Sequence, residues 1–322
     1  MKRIKNAFTM IELIFVIIIL GIVSSIGASL IANVYESYIV QRAVHNASVR
    51  TELAINQLAN RLTYRIDGSM IARIADASAA PAYIPLPAAN PTIYKARSVP
   101  LDKLDSHRAL EWISYDNDSF AAYSDPAWSG FADLNTTITT ELNIHTPGSD
   151  TSKLTTNYNG AQRRAMVFLG ASDYKDDGIT REPYKSTCMY NANGCIFPVS
   201  IGAADGQSLT LALGAGNGDR VDNEMIYTEF YQLANSAYAV VPDNNHTLAD
   251  TSVDVYDLKL YYGYQPWLGE HYKSGQVSTL LKDVSVFRFK KESNAIRIKL
   301  CTVERLGDSQ TISICKEKAV IR

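Results

Sequence analysis

One carboxylate lies inside the most apolar stretch of this sequence. From Phe8 to Ala32 the chain has 25 residues with a single charge, Glu12, and no proline. A carboxylate in a membrane helix costs up to about 2.5–3.5 kcal/mol at the bilayer centre and less near the interface, so such a residue usually has a partner or a task. The chemistry open to Glu12 is the pairing of its negative charge with a nearby cation.

The segment that carries Glu12 is long enough to cross a bilayer, since about 20 apolar residues span the hydrocarbon core at 1.5 Å of helical rise each. A short basic head with Lys2, Arg3 and Lys5 precedes it and favours a cytoplasmic N-terminus. In a secretory signal peptide, the small residue of the cleavage site follows the apolar region. Here the small residue, Ala7, precedes that region, so we expect the apolar segment to remain as a single-pass membrane anchor.

Cleavage after Ala7 would make Phe8 the N-terminal residue. Four residues of helix rise about 6 Å, so an ion pair between Glu12 and the amine of Phe8 is awkward within one chain. A neighbouring helix that is displaced along a common axis would bring the two charges together. The position of Glu12 therefore suggests an assembly in which identical or similar helices stack in register.

The segment KNAFTMIELIFVIIILGIV resembles the leaders and N-terminal helices of type IV pilin-like proteins. This family includes pilins and the pseudopilins of type II secretion. The resemblance implies that a prepilin peptidase cleaves between Ala7 and Phe8 and methylates the amine of Phe8. It also implies that Glu12 pairs with the amine of an adjacent subunit during filament assembly. The sequence departs from the family pattern in two ways: Ala7 stands where glycine is usual, and the helix lacks the proline of many major pilins.

Length and charge limit the other functions that the chain could have. Of its 322 residues, roughly 250 follow the anchor and its helical continuation, which is enough for one large domain or two small ones. The precursor carries a formal charge of −2, and loss of the three basic residues of the leader makes it −5. No basic field remains to attract nucleic acid, so no nucleic-acid partner is predicted.

The helix is predicted to continue beyond the membrane, because apolar and small residues recur at steps of three and four as far as Ile66. This stripe consists of Val44, Ala47, Thr51, Ile55, Leu58, Leu62 and Ile66. Gly68 is a plausible stop. The predicted plan is a basic leader over 1–7, a membrane-spanning half-helix over 8–32, an amphipathic half-helix over 33–67, an Ala/Pro-rich crossing loop over 68–106 and a β-rich exported domain over 107–322.

Short strand candidates follow one another closely from Leu110 to the end of the chain. The three most regular are Leu280–Phe289, Ala295–Val303 and Thr311–Ile321. Closely spaced strands favour an antiparallel meander. We therefore predict an α+β fold in which the long N-terminal helix packs on an antiparallel β-sheet with large loops.

Four cysteines form two pairs that are close in sequence, Cys188 with Cys195 and Cys301 with Cys315. Two local disulfides are expected in an exported domain. Cys301 and Cys315 lie near the facing ends of a candidate hairpin, where closure of the loop contributes about 3 kcal/mol in the chain-entropy model. A zinc site is the alternative, but the spacings Cys-x6-Cys and Cys-x13-Cys do not match the usual short CxxC pairs.

Two oxygen-rich segments are candidates for a calcium site, the one cofactor considered. Residues 173–178 begin like a calcium loop, but Tyr184 stands where an EF-hand needs its glutamate. Asp219, Asp222 and Glu224 form a second cluster, for which the alternative is a solvated turn. A further group of aromatic residues could stack on a sugar or a partner protein, or could pack within the fold: Tyr256, Tyr261, Tyr262, Tyr264 and Trp267.

No local motif supports an enzyme, because the chain has no HExxH, GxSxG or P-loop pattern. An anchored envelope enzyme would need a convergent polar pocket.

A weaker resemblance links VDNEMIYTEFYQLANSAYAVV and LLKDVSVFRFKKESNAIRIKLCTVE to the J-type pseudopilins and to minor pilins of comparable size. The prediction is therefore a structural minor subunit of a type II secretion pseudopilus or a type IV pilus, acting at initiation or at the tip.

The resemblance also implies partners and a location. The partners are other pilin-like subunits, a prepilin peptidase and an assembly platform in the inner membrane. The chain is expected to cross the inner membrane once, with its N-terminus in the cytoplasm and its globular domain in the periplasm or beyond. The alternative from another class is a membrane-anchored exported binding protein or adhesin that does not polymerise.

Overall fold

One helix, α1, runs without a break through Met10–Thr63. The computed structural model describes residues 9–66, 68–74, 83–85, 108–121, 126–140, 143–156, 164–168, 189, 196–201, 206–211, 228–249, 251–292, 295–306 and 310–321. The 54 residues of α1 extend for about 80 Å at 1.5 Å per residue. No proline lies between its ends, so every position can keep its helical hydrogen bond.

The C-terminal third of α1 packs on the sheet. Its buried residues recur at steps of three and four, as expected for one face of a helix: Ala47, Thr51, Ala54, Ile55, Leu58, Ala59 and Leu62. This set includes most of the stripe expected from the sequence. Full burial of one such aliphatic side chain contributes about 1.5–3 kcal/mol, so this face is a main source of the attachment between helix and sheet.

The helix ends at Thr63, several residues before Gly68. Immediately after it, Arg65 forms an isolated bridge with Ser114, and the amide of Ile66 donates to the carbonyl of Ile113 at 2.8 Å. The chain leaves the helix early because its backbone groups here pair with a strand instead. Gly68 then provides the positive φ of 86° in the turn that follows.

Most of the remaining described chain forms strands. They are β1 (Ile71–Arg73), β2 (Tyr83–Pro85), β3 (Ala109–Tyr115), β4 (Asn143–His145), β5 (Arg164–Phe168), β6 (Ile196–Ile201), β7 (Ser208–Leu211), β8 (Tyr231–Thr247), β9 (Asp254–Tyr264), β10 (Gln276–Glu292), β11 (Ala295–Leu306) and β12 (Gln310–Ile321). Two short helices are α2 (Asn117–Ala121) and α3 (Lys153–Thr156), and two 3₁₀ turns cover Pro266–Leu268 and Tyr272–Ser274.

These strands form one twelve-stranded sheet in the order β12-β11-β10-β9-β8-β5-β6-β7-β4. The long strand β8 also pairs with β3, which pairs with β1, and β1 with β2. All of these pairs are antiparallel. The predicted α+β fold, a long N-terminal helix on an antiparallel sheet, is confirmed.

The predicted crossing loop over 68–106 contains two of these strands, β1 and β2. The proline at the end of β2 lacks an amide donor, which is tolerable because β2 pairs with β1 alone. The rest of the Ala/Pro-rich stretch, from 75 to 82 and from 86 to 107, lies outside the described residues.

Apolar side chains form three buried clusters. The first lies between α1 and the sheet and includes Leu58, Trp112 and Phe287. The second includes Ile113 and lies around the end of β9 and the two 3₁₀ turns. The third fills the region of β4 to β7 and includes Trp128.

Two buried ion pairs lie among these clusters. Arg73 Nε and Glu111 Oε2 are 2.7 Å apart, and both side chains are almost fully buried. The hydroxyl of Tyr264 donates a hydrogen bond to Glu111 Oε1 at 2.8 Å. Burial raises the pKa of Glu111, although Arg73 acts in the opposite direction. Arg164 Nε and Asp116 Oδ2 are 3.1 Å apart in the third cluster region. Each pair joins segments that are far apart in sequence.

Candidate functional site

The N-terminal half of α1 is exposed and does not pack against the described part of the domain. No large apolar side chain from Met10 to Val40 is less than 38% exposed, whereas Leu58 and Leu62 are at most 1% exposed. α1 is the one described helix that is long and apolar enough to cross a membrane. From Met10 to Ala32 it would rise about 35 Å, which matches a hydrocarbon core of about 30 Å with some tilt.

Glu12 lies in the first turn of α1 and is exposed. Thr9 is the N-cap residue in an extended conformation, and its hydroxyl donates to Glu12 Oε2 at 3.4 Å. The amide of Leu13 donates to the carbonyl of Thr9 at 3.2 Å and closes the first turn. This contact directs the carboxylate of Glu12 back toward the N-terminal end of the helix.

The position of Glu12 has a local electrostatic benefit as well. The first amides of a helix lack internal partners and give its N-terminus a partial positive charge, so a carboxylate there stabilises the helix by about 0.3–1 kcal/mol when exposed. Thr9 and Glu12 have the spacing of a capping box, yet the Thr9 side chain makes no cap bond to the backbone. The hydroxyl is engaged by the carboxylate instead.

Residues 2–28 match the family described as the prokaryotic N-terminal methylation motif. This match supports an N-terminal segment of the type IV pilin-like kind. The match covers the basic head, Ala7, Phe8, Glu12 and most of the exposed apolar half of α1. Searches of curated proteins and of solved structures return no match to the chain.

The residues on either side of the predicted cleavage lie outside the described part of the chain. Residues 1–8 include both Ala7 and Phe8, and the description begins at Thr9. Their cleavage and methylation stay predictions. Thr9 is a residue that the sequence reasoning missed, and the Thr-x-x-Glu spacing at the helix start could have indicated it.

The predicted disulfide between Cys301 and Cys315 is confirmed. These residues lie directly opposite each other in the ladder of β11 and β12. The bond is one cross-strand link within the last hairpin, which lies beside α1. Cys188 and Cys195 lie outside the described residues.

The remaining candidates for ligand binding are the two oxygen-rich segments and the group of aromatic residues. Asp219, Asp222 and Glu224 lie outside the described residues, as do residues 173–178 and Tyr184. In the described ranges, no three His, Cys, Asp or Glu side chains are grouped so that they could hold a metal ion. Three of the aromatic residues are at least 95% buried, namely Tyr256, Tyr264 and Trp267, which supports packing rather than stacking on a ligand.

Polar contacts at the edge of the buried helix face join α1 to the last hairpin, which consists of β11 and β12. Arg50 forms an ion pair with Glu304 of β11, and Lys316 Nζ of β12 lies 3.5 Å from Glu52 Oε2. Lys318 donates to the side-chain oxygen of Asn56. Exposed pairs of this kind contribute about 0–1 kcal/mol each, so they set the position of α1 more than its affinity for the sheet.

Proposed function

We propose that the chain is a minor pilin or pseudopilin, a structural subunit that is inserted in the inner membrane, processed at Ala7 and Phe8, and then extracted into a helical stack at the initiation site or tip of a filament. The filament is a type II secretion pseudopilus or a type IV pilus. The role is structural rather than catalytic. The observation that supports it is the exposed apolar half of α1, which carries Glu12 in its first turn and which no described part of the domain covers.

An assembly of such helices gives Glu12 a partner. The free amine that cleavage creates at Phe8 is cationic, and two unit charges 4 Å apart attract by about 4 kcal/mol at an effective dielectric constant of about 20. That attraction is of the same size as the cost of about 2.5–3.5 kcal/mol for a carboxylate at the bilayer centre, so a paired amine offsets much of the cost. The contact of Glu12 with Thr9 points the carboxylate toward the end of the helix where an adjacent amine would lie.

The proposed partners follow from this mechanism. Other pilin-like subunits would bind through the apolar half of α1, a prepilin peptidase would cleave the leader, and an inner-membrane assembly platform would move the subunit. The proposed topology has the N-terminus in the cytoplasm and the sheet in the periplasm, in keeping with the basic head of Lys2, Arg3 and Lys5.

The test compares Glu12→Gln with Glu36→Gln in the bacterium that makes the filament. Both residues are exposed carboxylates on α1, so each variant loses the same charge. We expect Glu12→Gln to remain in the membrane fraction while its amount in sheared filaments falls at least about tenfold, the loss that a net 1.4 kcal/mol predicts. Glu36→Gln should be incorporated like the unaltered chain.

Two results would contradict the proposal. If Glu12→Gln entered filaments as well as Glu36→Gln, the chain would be better explained as an anchored binding protein or adhesin that does not polymerise. If mass spectrometry of the membrane-bound chain found residues 1–7 still attached and Phe8 unmethylated, the processing step would be wrong.

A further inference from the structure

One stretch of β10 has a neighbouring strand on one side only. Its first residues pair with β9, from Gln276 opposite Tyr262 onward. Pairing with β11 begins only at Val284, which lies opposite Thr302. In the described part of the chain, no strand pairs with the other side of residues 276–283, which we call the open edge. An edge of this kind presents a row of backbone N–H and C=O groups that lack a strand partner.

β11 parts from β10 because of the local backbone geometry and because of contacts to α1. The ladders change register on both sides of Val284, and Asp283 has a positive φ of 55°, so β10 is bulged here. Beyond Thr302, β11 pairs with β12 alone. In that stretch Glu304 forms an ion pair with Arg50 of α1. The open edge therefore follows from the packing of the sheet and is not a frayed strand end.

The open edge is accessible to another molecule. Four consecutive residues at its start are exposed, namely Gln276, Val277, Ser278 and Thr279. Val277 is 52% exposed although it is apolar. Within the described ranges, no side-chain hydrogen bond or ion pair engages any of these four residues. A second strand could therefore approach this part of β10 without displacing an existing side-chain contact.

The open edge lacks the features that protect other edges of the sheet. β2 and β4 are only three residues long, and the outer strand β12 carries Lys316, Glu317 and Lys318 in its middle. Short strands and charges of this kind discourage pairing with another chain. Residues 276–281 contain no charge and no proline, and the β-branched Val277 favours a strand. An exposed segment of this composition is an aggregation hazard unless a specific partner pairs with it.

The location of the open edge indicates where a partner comes from. At the point where β11 leaves β10, the hydroxyls of Thr302 and Thr51 lie 2.8 Å apart. Thr51 is one turn of α1 beyond Ala47, the first buried residue of the helix. The part of α1 before Ala47 is mostly exposed and, under the proposed function, packs against the helices of neighbouring subunits. A subunit that packs there lies next to one end of the open edge.

We infer that an extended segment of an adjacent pilin-like subunit pairs with the open edge by β-strand addition, an inference that rests on the proposed function. The N–H and C=O groups of β10 bond to the backbone of the added strand, and these bonds supply the affinity. Specificity comes from side chains at alternate positions of β10, with Val277 and Thr279 on one face and Gln276 and Ser278 on the other.

The first experiment places a photoreactive amino acid at the exposed Thr279 in cells that assemble the filament. After irradiation, the cross-linked peptide is identified by mass spectrometry. We expect it to come from another pilin-like subunit. The same amino acid at the exposed Ala319 of β12 controls for chance encounters and should give a lower yield, because the charges beside Ala319 disfavour strand addition.

Two proline variants then test whether backbone groups form the contact. In an antiparallel ladder, the N–H groups of successive residues point to opposite sides of the strand. Of Val277→Pro and Ser278→Pro, one therefore removes a bond to β9, and we expect it to lower the thermal midpoint. The other removes a donor of the open edge and should keep a thermal midpoint near that of the unaltered chain. This second variant should lower the cross-link yield at Thr279 about tenfold, because a backbone hydrogen bond is lost and the proline ring obstructs the added strand.

Ser278→Lys provides a test that does not depend on the folding of either proline variant. An added charge on an exposed strand edge disfavours strand addition and leaves the backbone pairing with β9 intact. We expect Ser278→Lys to lower the cross-link yield at Thr279 about fivefold. Ala319→Lys adds the same charge to β12 and should leave that yield unchanged.

An unchanged cross-link yield in Ser278→Lys and in the stable proline variant would overturn the inference. Cross-links from Thr279 that stay within one chain, or that reach lipid alone, would also overturn it. Failure here leaves the result for Glu12→Gln standing, since filament entry through α1 is measured independently. Conversely, if Glu12→Gln assembled normally while Ser278→Lys lost the cross-link at Thr279, the open edge would keep its partner and the role of Glu12 would be wrong.

Discussion

Thr51 of α1 and Thr302 of β11 join the helix to the sheet through their hydroxyl oxygens, which lie 2.8 Å apart in a buried position. Thr51 also donates to the carbonyl of Ala47 within the helix at 2.7 Å. Thr302 has Thr51 as its side-chain partner. One hydroxyl therefore has two contacts and the other has one, so the two threonines are not equivalent.

Substitution of each threonine by the similarly shaped valine should reveal this difference. Thr51→Val leaves the buried hydroxyl of Thr302 without its partner and should lower the free energy of unfolding by about 1–3 kcal/mol. Thr302→Val leaves Thr51 bonded to Ala47, so we expect a loss of no more than about 1 kcal/mol. Urea unfolding of the full chain in detergent measures both. Equal losses in the two variants would contradict the assigned hydrogen-bond roles.

The apolar contact between α1 and the sheet should account for more of the stability than this pair of hydroxyls. Leu58→Ala removes a side chain that is 1% exposed between α1 and the sheet, and we expect a loss of about 2–5 kcal/mol in the free energy of unfolding. Leu53→Ala is the matched control, because Leu53 is on the same helix and is 64% exposed. Its effect should stay within about 0.5 kcal/mol. Similar losses for the two variants would mean that α1 does not pack on the sheet through this face.

The sequence predicted this helix face because its signal is local and periodic. Residues at steps of three and four must share a face, whatever the sheet does. The last hairpin was equally predictable, since Ile296, Ile298 and Leu300 alternate with charged residues, and Cys301 and Cys315 lie near the facing ends of a candidate hairpin. These are properties of neighbouring residues, so no distant partner is needed to recognise them.

The parts that could not be predicted depend on distant partners. β8 is one strand of 17 residues although its middle contains Asn235 and Ser236. Ser236 is tolerated there because it pairs with Ser114 and accepts the amide of Gly263 at 2.9 Å. Arg73 and Glu111, 38 residues apart, likewise have no local sign that they will be buried together. The exposed half of α1 was predictable. The bond from the Thr9 hydroxyl to Glu12 was not, because the Thr-x-x-Glu spacing predicts a bond from the Thr9 side chain to the backbone instead.

The disulfide of the last hairpin should stabilise the domain mainly through the unfolded chain. Replacing Cys301 and Cys315 together by serine should lower the free energy of unfolding by about 3 kcal/mol, the value for closing a loop of about 15 residues in the chain-entropy model. Urea titration of the full chain under oxidising conditions measures the loss. The register of β11 and β12 would remain, because twelve residue pairs define it.

Reductant supplies the control for this change. It should destabilise the unaltered chain by more than it destabilises the double serine variant, since the variant has already lost the Cys301–Cys315 bond. An equal response of the two proteins to reductant would show that this bond contributes little to stability.

A histidine near the end of β8 should make stability depend on pH. His246 Nδ1 lies 2.8 Å from the carbonyl oxygen of Asn244, and His246 Nε2 lies 3.2 Å from Asp283 Oδ1. Both nitrogens thus face acceptors, which suits the doubly protonated ring. The carbonyl of Asn244 first and the carboxylate of Asp283 second raise the pKa of His246 above its ordinary value.

The sign of the effect follows from this raised pKa. The folded chain holds the proton more tightly than the unfolded chain, so the contribution of His246 is fully present below the unfolded pKa of about 6.5 and is lost as pH rises through the higher folded value. The thermal midpoint of the full chain should therefore fall between about pH 6 and pH 8 by more than that of His246→Gln. Asp283→Asn should weaken the dependence in part. His45→Gln alters an exposed histidine on α1 and should keep the pH dependence of the unaltered chain. If the thermal midpoint of His246→Gln changed with pH in parallel with that of the unaltered chain, His246 would not be the source of the dependence.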